Sequence, residues 1–194
     1  MLHTRTLVVL ALGIFHSAAL ASAQQEQQIS SASFTHEQTA VYQAFFADYR
    51  RGGSQSWLNV AEATDILQPD DGDYSGCMKG FPKAPPAQAK QIHRLTEEFG
   101  KKNHLRVVDP KVHKVQDPQD GMRKGQSVES AVKSGFDSGF LTLSEIIFDE
   151  NHKRAAFHYS FYCGRLCAHS ETVVYEKRHG VWKPSNNSCG YGIS

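Results

Sequence analysis

The sequence predicts an α+β domain in which N-terminal helices pack on a C-terminal antiparallel meander of about four strands. Three observations lead there. Val41, Tyr42, Phe45, Phe46 and Tyr49 recur at helical spacing near the start of the chain. Ala155, Phe157, Tyr159, Phe161 and Cys163 alternate with other residues, as one face of a strand does. Turn-forming residues such as Asp149-Glu150-Asn151-His152 and His179-Gly180 separate the apolar runs of the last third.

The first residues have the three-part layout of a secretory signal peptide. Arg5 supplies the positive start, Leu7 to Phe15 is an uncharged apolar run, and Ala21-Ser22-Ala23 offers small residues for cleavage after Ala23. The run is short for a membrane anchor, which takes roughly 20 residues. The expectation is an exported chain, periplasmic or secreted, with signal peptide 1–23, a disordered Gln/Ser-rich leader 24–34 and one domain 35–194. Removing 23 of 194 residues leaves 171, enough for one domain with a core of its own. It also removes one positive charge and takes the net charge from +1 to zero. A neutral balance gives no basic stripe for nucleic acid, and no membrane insertion of the mature chain is expected.

Each element follows from local signals. Thr35-His36-Glu37-Gln38 matches a capping box, so a helix should run from there to about Arg50, with Gly52-Gly53 ending it. Trp57 to Ala63 reads as a strand, and 69–87, rich in Asp, Gly and Pro, as a long loop holding Cys77. Pro86 to Phe99 reads as a second helix with Ile92, Leu95 and Phe99 on one side. Leu105 to Val108 reads as a strand, Asp117 to Lys124 as a polar loop, and Ser127 to Lys133 as a short helix. Four strands complete the chain: Leu141 to Phe148, Ala155 to Cys163, Cys167 to Arg178, and one from Val181 that Pro184 ends.

The meander carries a checkable register. If Cys163 stands opposite Cys167, then Tyr159 faces Glu171, Phe157 faces Val173 and, past the next turn, Trp182 faces Lys177. Phe157, Val173, Tyr175 and Trp182 then gather on one face. Four cysteines in an exported chain favour disulfides, and four allow three pairings. The register favours Cys163–Cys167, which leaves Cys77–Cys189 to fasten the long loop to the C-terminal segment.

Several C-terminal features recur together: Leu143-Ser144, Ile147-Phe148-Asp149, Ala156, Cys163-Gly164-Arg165-Leu166-Cys167, Tyr175-Glu176-Lys177, Gly180-x-Trp182-Lys183 and Ile193-Ser194. By these residues the stretch from Gly139 onward resembles a group of uncharacterised bacterial exported proteins, with the Cys-Gly-x-Leu-Cys hairpin as its most specific piece. The likeness implies export and an α+β fold, and it transfers no catalytic residue. This chain departs from the pattern at Ser188-Cys189-Gly190-Tyr191-Gly192, where a tryptophan is expected. A helix ahead of a curved antiparallel meander is also similar to the cystatin or nuclear-transport-factor style of α+β fold, which hosts enzymes and binders alike.

Two constellations carry chemistry. Cys163, Cys167, His158 and His169 lie close enough for a small structural zinc protein, but the register turns His158 away from the cysteines and the compartment favours a disulfide. Tyr159, His169 and Glu171 share a face near the hairpin tip, with Phe161 opposite His169. They would give a hydrolase or isomerase a proton donor, a base and an orienter in a cleft under the sheet. The plainer reading is that they bond to one another at a strand end. His36, His93, His104 and His113 show no ligand spacing and read as surface residues. Asn186-Asn187-Ser188 fits a glycosylation acceptor with no use in a bacterial setting. No phosphate loop, nucleophile elbow or zinc-binding helix motif occurs. The expectation is a non-enzymatic binding or interaction module, without cofactor, for a small molecule, an envelope component or a protein.

Overall fold

The computed structural model describes residues 29–30, 34–51, 57–83, 91–186, 189 and 191–193. The signal peptide, most of the leader, Gly52-Gly53 and Pro86 lie outside the described residues. Among those described are five helices and ten strands, and no helix is long and apolar enough to cross a membrane.

Helix α1 (His36–Arg51) starts as its capping box predicts. Thr35 Oγ1 accepts from the Gln38 amide at 3.2 Å, and Gln38 Oε1 accepts from the Thr35 amide at 2.9 Å. The helix buries Val41, Tyr42, Phe45 and Phe46 against the sheet. Within the leader, β1 (Ile29–Ser30) pairs in parallel with β3 (Ile92–His93).

The main sheet is larger than a four-stranded meander, and it is mixed. Its path runs β10 (Tyr191–Ile193), β8 (Cys167–Arg178), β7 (Arg154–Gly164), β5 (Phe140–Leu143), β2 (Leu58–Ala61), β4 (Leu105–Val108). Two further strands lie off this path: β6 (Ile147–Phe148) on β7 and β9 (Val181–Pro184) on β8. The C-terminal hairpins are antiparallel as expected, but β2 runs parallel to both β4 and β5. Strand neighbours this far apart in sequence are brought together by packing, which no turn signal encodes.

The register of the meander is the one the alternation implies, with Tyr159 opposite Glu171, Phe157 opposite Val173 and Lys177 opposite Trp182. The turn between β8 and β9 places His179 and Gly180 at φ 52° and 80°, as a two-residue hairpin needs. The hairpin tip departs by one residue. The ladder shifts between Tyr162 and Gly164, so Gly164 rather than Cys163 stands opposite Cys167. Gly164 sits at φ 141°, and a Cβ there would lie 2.8 Å from Pro118 Cδ. Cys163 and Cys167 are bridged across the bulge with Cα atoms 5.0 Å apart, and Cys77 is bridged to Cys189 at 5.2 Å.

Both faces of the sheet are covered. On the α1 side, Phe45 meets Phe157 and Tyr159 at ring-centroid distances of 5.1 and 5.0 Å, and Tyr42 meets Phe157 at 5.3 Å. Fully burying a side chain such as Phe157 contributes about 1.5–3 kcal/mol. On the other side, Leu67, Met78, Phe81, Ile147, Ala156 and Val174 form a second core around Cys77–Cys189. This is why Ala156, which strict alternation puts in solvent, is buried. Arg154 holds the covering loop, donating to the carbonyls of Cys77 at 2.7 Å and Lys79 at 2.6 Å.

Five other expectations are corrected. Residues 91–95 are not helical: Ile92 and Leu95 are buried through β3 and the chain beside it, and α3 (Glu97–Lys102) starts only at its Thr96 cap. The loop 69–87 contains α2 (Asp71–Ser75). The loop 117–124 is α4 (Pro118–Arg123), opened by an Asp117 cap with proline in its first turn, and α5 (Val128–Ser138) runs past Lys133. The strand 141–148 breaks at Ser144-Glu145-Ile146, where the Glu145 amide donates to the Asp65 carbonyl at 2.6 Å instead of staying in the β7 ladder.

Candidate functional site

Opposed residues of β7 and β8 share a face, so their register brings Tyr159, Phe161, His169 and Glu171 together on the side facing α1. Helix α1 delivers Phe45, Asp48 and Tyr49 to the same place, because residues three and four apart share a helix face. Between them lies a cavity of about 220 Å3, lined also by Val173, Tyr175, Pro184 at the end of β9 and the Ser185-Asn186 segment that follows it.

Tyr159 Oη donates to Glu171 Oε2 at 3.2 Å. His169 is half-buried between rings: Tyr49 stacks on it at 6.3 Å, while Tyr159 and Phe161 each lie 5.6 Å away. Of the three residues singled out from the sequence, Tyr159 and Glu171 line the cavity and His169 stands beside it, behind Tyr159.

Burial shapes the protonation states. It pushes Tyr49 up to about 12. Tyr159 and Tyr175 rise further, by burial first and then by negative charge on Glu171 for Tyr159 and on Asp48 for Tyr175. All three remain phenols able to donate hydrogen bonds. Burial also lowers His169, against the pull of Glu171, so its imidazole is neutral at pH 7.

On the opposite face, His158 faces the second core's side. Its Nδ1 lies 3.2 Å from Thr172 Oγ1 and its Nε2 3.4 Å from Ser160 Oγ. Its sulfur neighbours of the zinc reading are committed elsewhere: no free cysteine remains among the described residues. There the grouping of His, Cys, Asp and Glu ligand atoms tight enough for an ion is Asp73, Cys77 and Cys189, two of which already form a disulfide.

Sequence reasoning missed a buried polar cluster. His93, on β3, and Glu145, in the break between β5 and β6, are both buried. Glu145 Oε1 accepts from the His93 amide at 3.0 Å and lies 2.9 Å from His93 Nδ1, and Thr64 Oγ1 donates to it as well. Gln38 Nε2 donates to Oε2 at 3.4 Å. Tyr42 Oη donates to the adjacent Ser144 carbonyl at 2.6 Å. The cluster joins the start of α1, the chain after β2, β3 and the β5–β6 break. The other three histidines read as surface residues divide: His36 and His104 are exposed, while His113 is half-buried with Nε2 2.7 Å from the Ser138 carbonyl.

No family model, curated protein or solved structure matches the chain. The exported-protein group and the cystatin and nuclear-transport-factor comparisons draw no support from that quarter.

Proposed function

We propose that the domain is an exported binding module that takes a small molecule in the cleft between α1 and the sheet. The observation that carries the reading is the cavity of about 220 Å3 walled by aromatic rings and a few convergent polar groups. Concave, mostly apolar sites with a few placed polar groups are the usual form of ligand pockets, and this one is below the roughly 300–1,000 Å3 that drug-sized ligands occupy. The two disulfides support an oxidising compartment.

A second reading, a hydrolase or isomerase with His169 as base, Glu171 as orienter and Tyr159 as proton donor, is favoured by the Tyr159–Glu171 hydrogen bond and a neutral imidazole nearby. It weighs less because His169 does not line the cavity.

The test is a melting-temperature screen of the oxidised protein against small metabolites of varied charge, alongside a Val173→Phe variant that fills the cavity. A ligand at about 100 times its Kd should raise the Tm of the wild type by roughly 5–10 °C. The variant should fold and lose the shift. A wild type indifferent to every compound, or a variant that keeps the shift, refutes the cleft as the binding site.

A further inference from the structure

We infer that the ligand of this cleft is a small organic cation, because the rings of Phe45, Tyr49, Tyr159 and Tyr175 and the carboxylates of Asp48 and Glu171 converge on one cavity of about 220 Å3. The inference rests on the binding reading above and names its chemistry.

Ring faces attract cations through their quadrupole, and the attraction grows when water is excluded. Here the lining rings stand at angles to one another, Tyr49 and Tyr159 edge-to-face at 5.7 Å and 83° and Phe45 and Tyr159 tilted at 5.0 Å, while one face of Tyr49 is taken by His169 and one of Tyr175 by Phe157. Two carboxylates reinforce them. Glu171 gives Oε2 to Tyr159, and among the described residues nothing donates to its Oε1. Asp48 pairs at the rim with the exposed Arg51. Among the described residues, no lysine or arginine lines the cavity, and the neighbouring His169 is neutral. The negative potential is felt by the walls themselves, since the charges of Glu171 and Asp48 add to burial in holding Tyr159 and Tyr175 protonated.

The alternatives fit less well. An anion would meet two carboxylates, and the neighbouring cation, Arg51 at the rim, is already paired with Asp48. An uncharged apolar ligand would strip water from Glu171 without replacing it, which buried charge does not tolerate cheaply. A cation with an apolar shell, such as a trimethylammonium group, satisfies rings and carboxylates together.

The experiment is calorimetric titration of the oxidised protein with choline and with its uncharged isostere, in which carbon replaces the quaternary nitrogen. Choline should bind at least about tenfold more tightly than the isostere, the scale expected of desolvated cation–π contacts. Glu171→Gln retains an acceptor for Tyr159 and should weaken choline by roughly fivefold or more without altering the isostere. Arg51→Ala, which releases Asp48, should tighten choline. Equal affinity for the two probes overturns the cation inference while leaving a small-molecule cleft intact. Binding of only neutral or anionic compounds in the melting screen does the same. Silence toward compounds of every charge overturns the binding reading as well.

Discussion

Glu145 shows how much one side chain can hold in place. Its carboxylate is fully buried and collects donors from His93, Thr64 and Gln38, each on a different segment. Glu145→Ala should therefore leave several buried donors unpaired and cost about 3–5 kcal/mol, the range for breaking a buried charged contact. Glu145→Gln keeps an acceptor but turns an NH2 toward groups that also donate, and should cost less, about 1–3 kcal/mol. Urea midpoints of both variants check the order, and an alanine variant as stable as the parent refutes the role. None of this was legible in Leu143-Ser144-Glu145-Ile146, which reads as part of one continuous strand from Leu141 to Phe148. The missing information is the Asp65 carbonyl, which takes the Glu145 amide out of the ladder, and the donors from three distant segments that meet its carboxylate. Tyr159 and Glu171 were legible because both lie within one continuous hairpin, whose register follows from its own alternation and turn.

At the scale of elements, the two disulfides do unequal work. Cys163–Cys167 spans 4 residues at a hairpin tip whose ladder already holds the strands together, whereas Cys77–Cys189 spans 112 and pins the loop that covers the second core. The chain-entropy estimate gives about 2 kcal/mol for the short loop and close to 5 kcal/mol for the long one. Replacing Cys163 and Cys167 by serine should therefore cost less stability than replacing Cys77 and Cys189, a comparison that guanidinium unfolding of the two double variants makes directly. The reverse order would mean that the second core holds its loop without the bridge. Local signals read the elements well where a cap or a tight turn announces them, as with Thr35 for α1 and His179-Gly180 for the last hairpin. They failed at Asp117-Pro118, where a helix start was taken for a loop because only one turn and a half of helix follows it. They found β2 itself but not its place in the sheet, because parallel partners as far away as Leu105 and Phe140 are chosen by packing and leave no mark on the strand.

For the whole molecule, the two faces of the β7–β8 ribbon set opposite limits on stability with pH. His158 on one face and His169 on the other are both held below the ordinary 6.5 by burial, with Asp73 and Glu171 respectively pulling the other way. A group whose folded pKa is depressed contributes stability that is complete above its unfolded value and is lost as pH falls toward the folded one. Both faces should thus begin to weaken below about pH 6.5, before Glu37 and Glu176, held low by Lys177 and Arg178, begin to be protonated below their ordinary 4.5. On the alkaline side the sign reverses. Tyr49, Tyr159 and Tyr175 are raised above the ordinary 10.0, so their contribution is complete below that value and disappears as pH rises through the folded ones. The Tm should hold a plateau between about pH 7 and 10 and fall on either side. His158→Gln with His169→Gln should flatten the first part of the acid limb, and Tyr49→Phe should soften the alkaline one. Choline in the cleft should raise the plateau and soften the alkaline fall, because a cation beside the wall tyrosines favours their ionised form in the folded protein. A Tm that stays level from neutrality down to about pH 5 would show that the half-buried imidazoles reach water readily enough to charge at no cost to the fold.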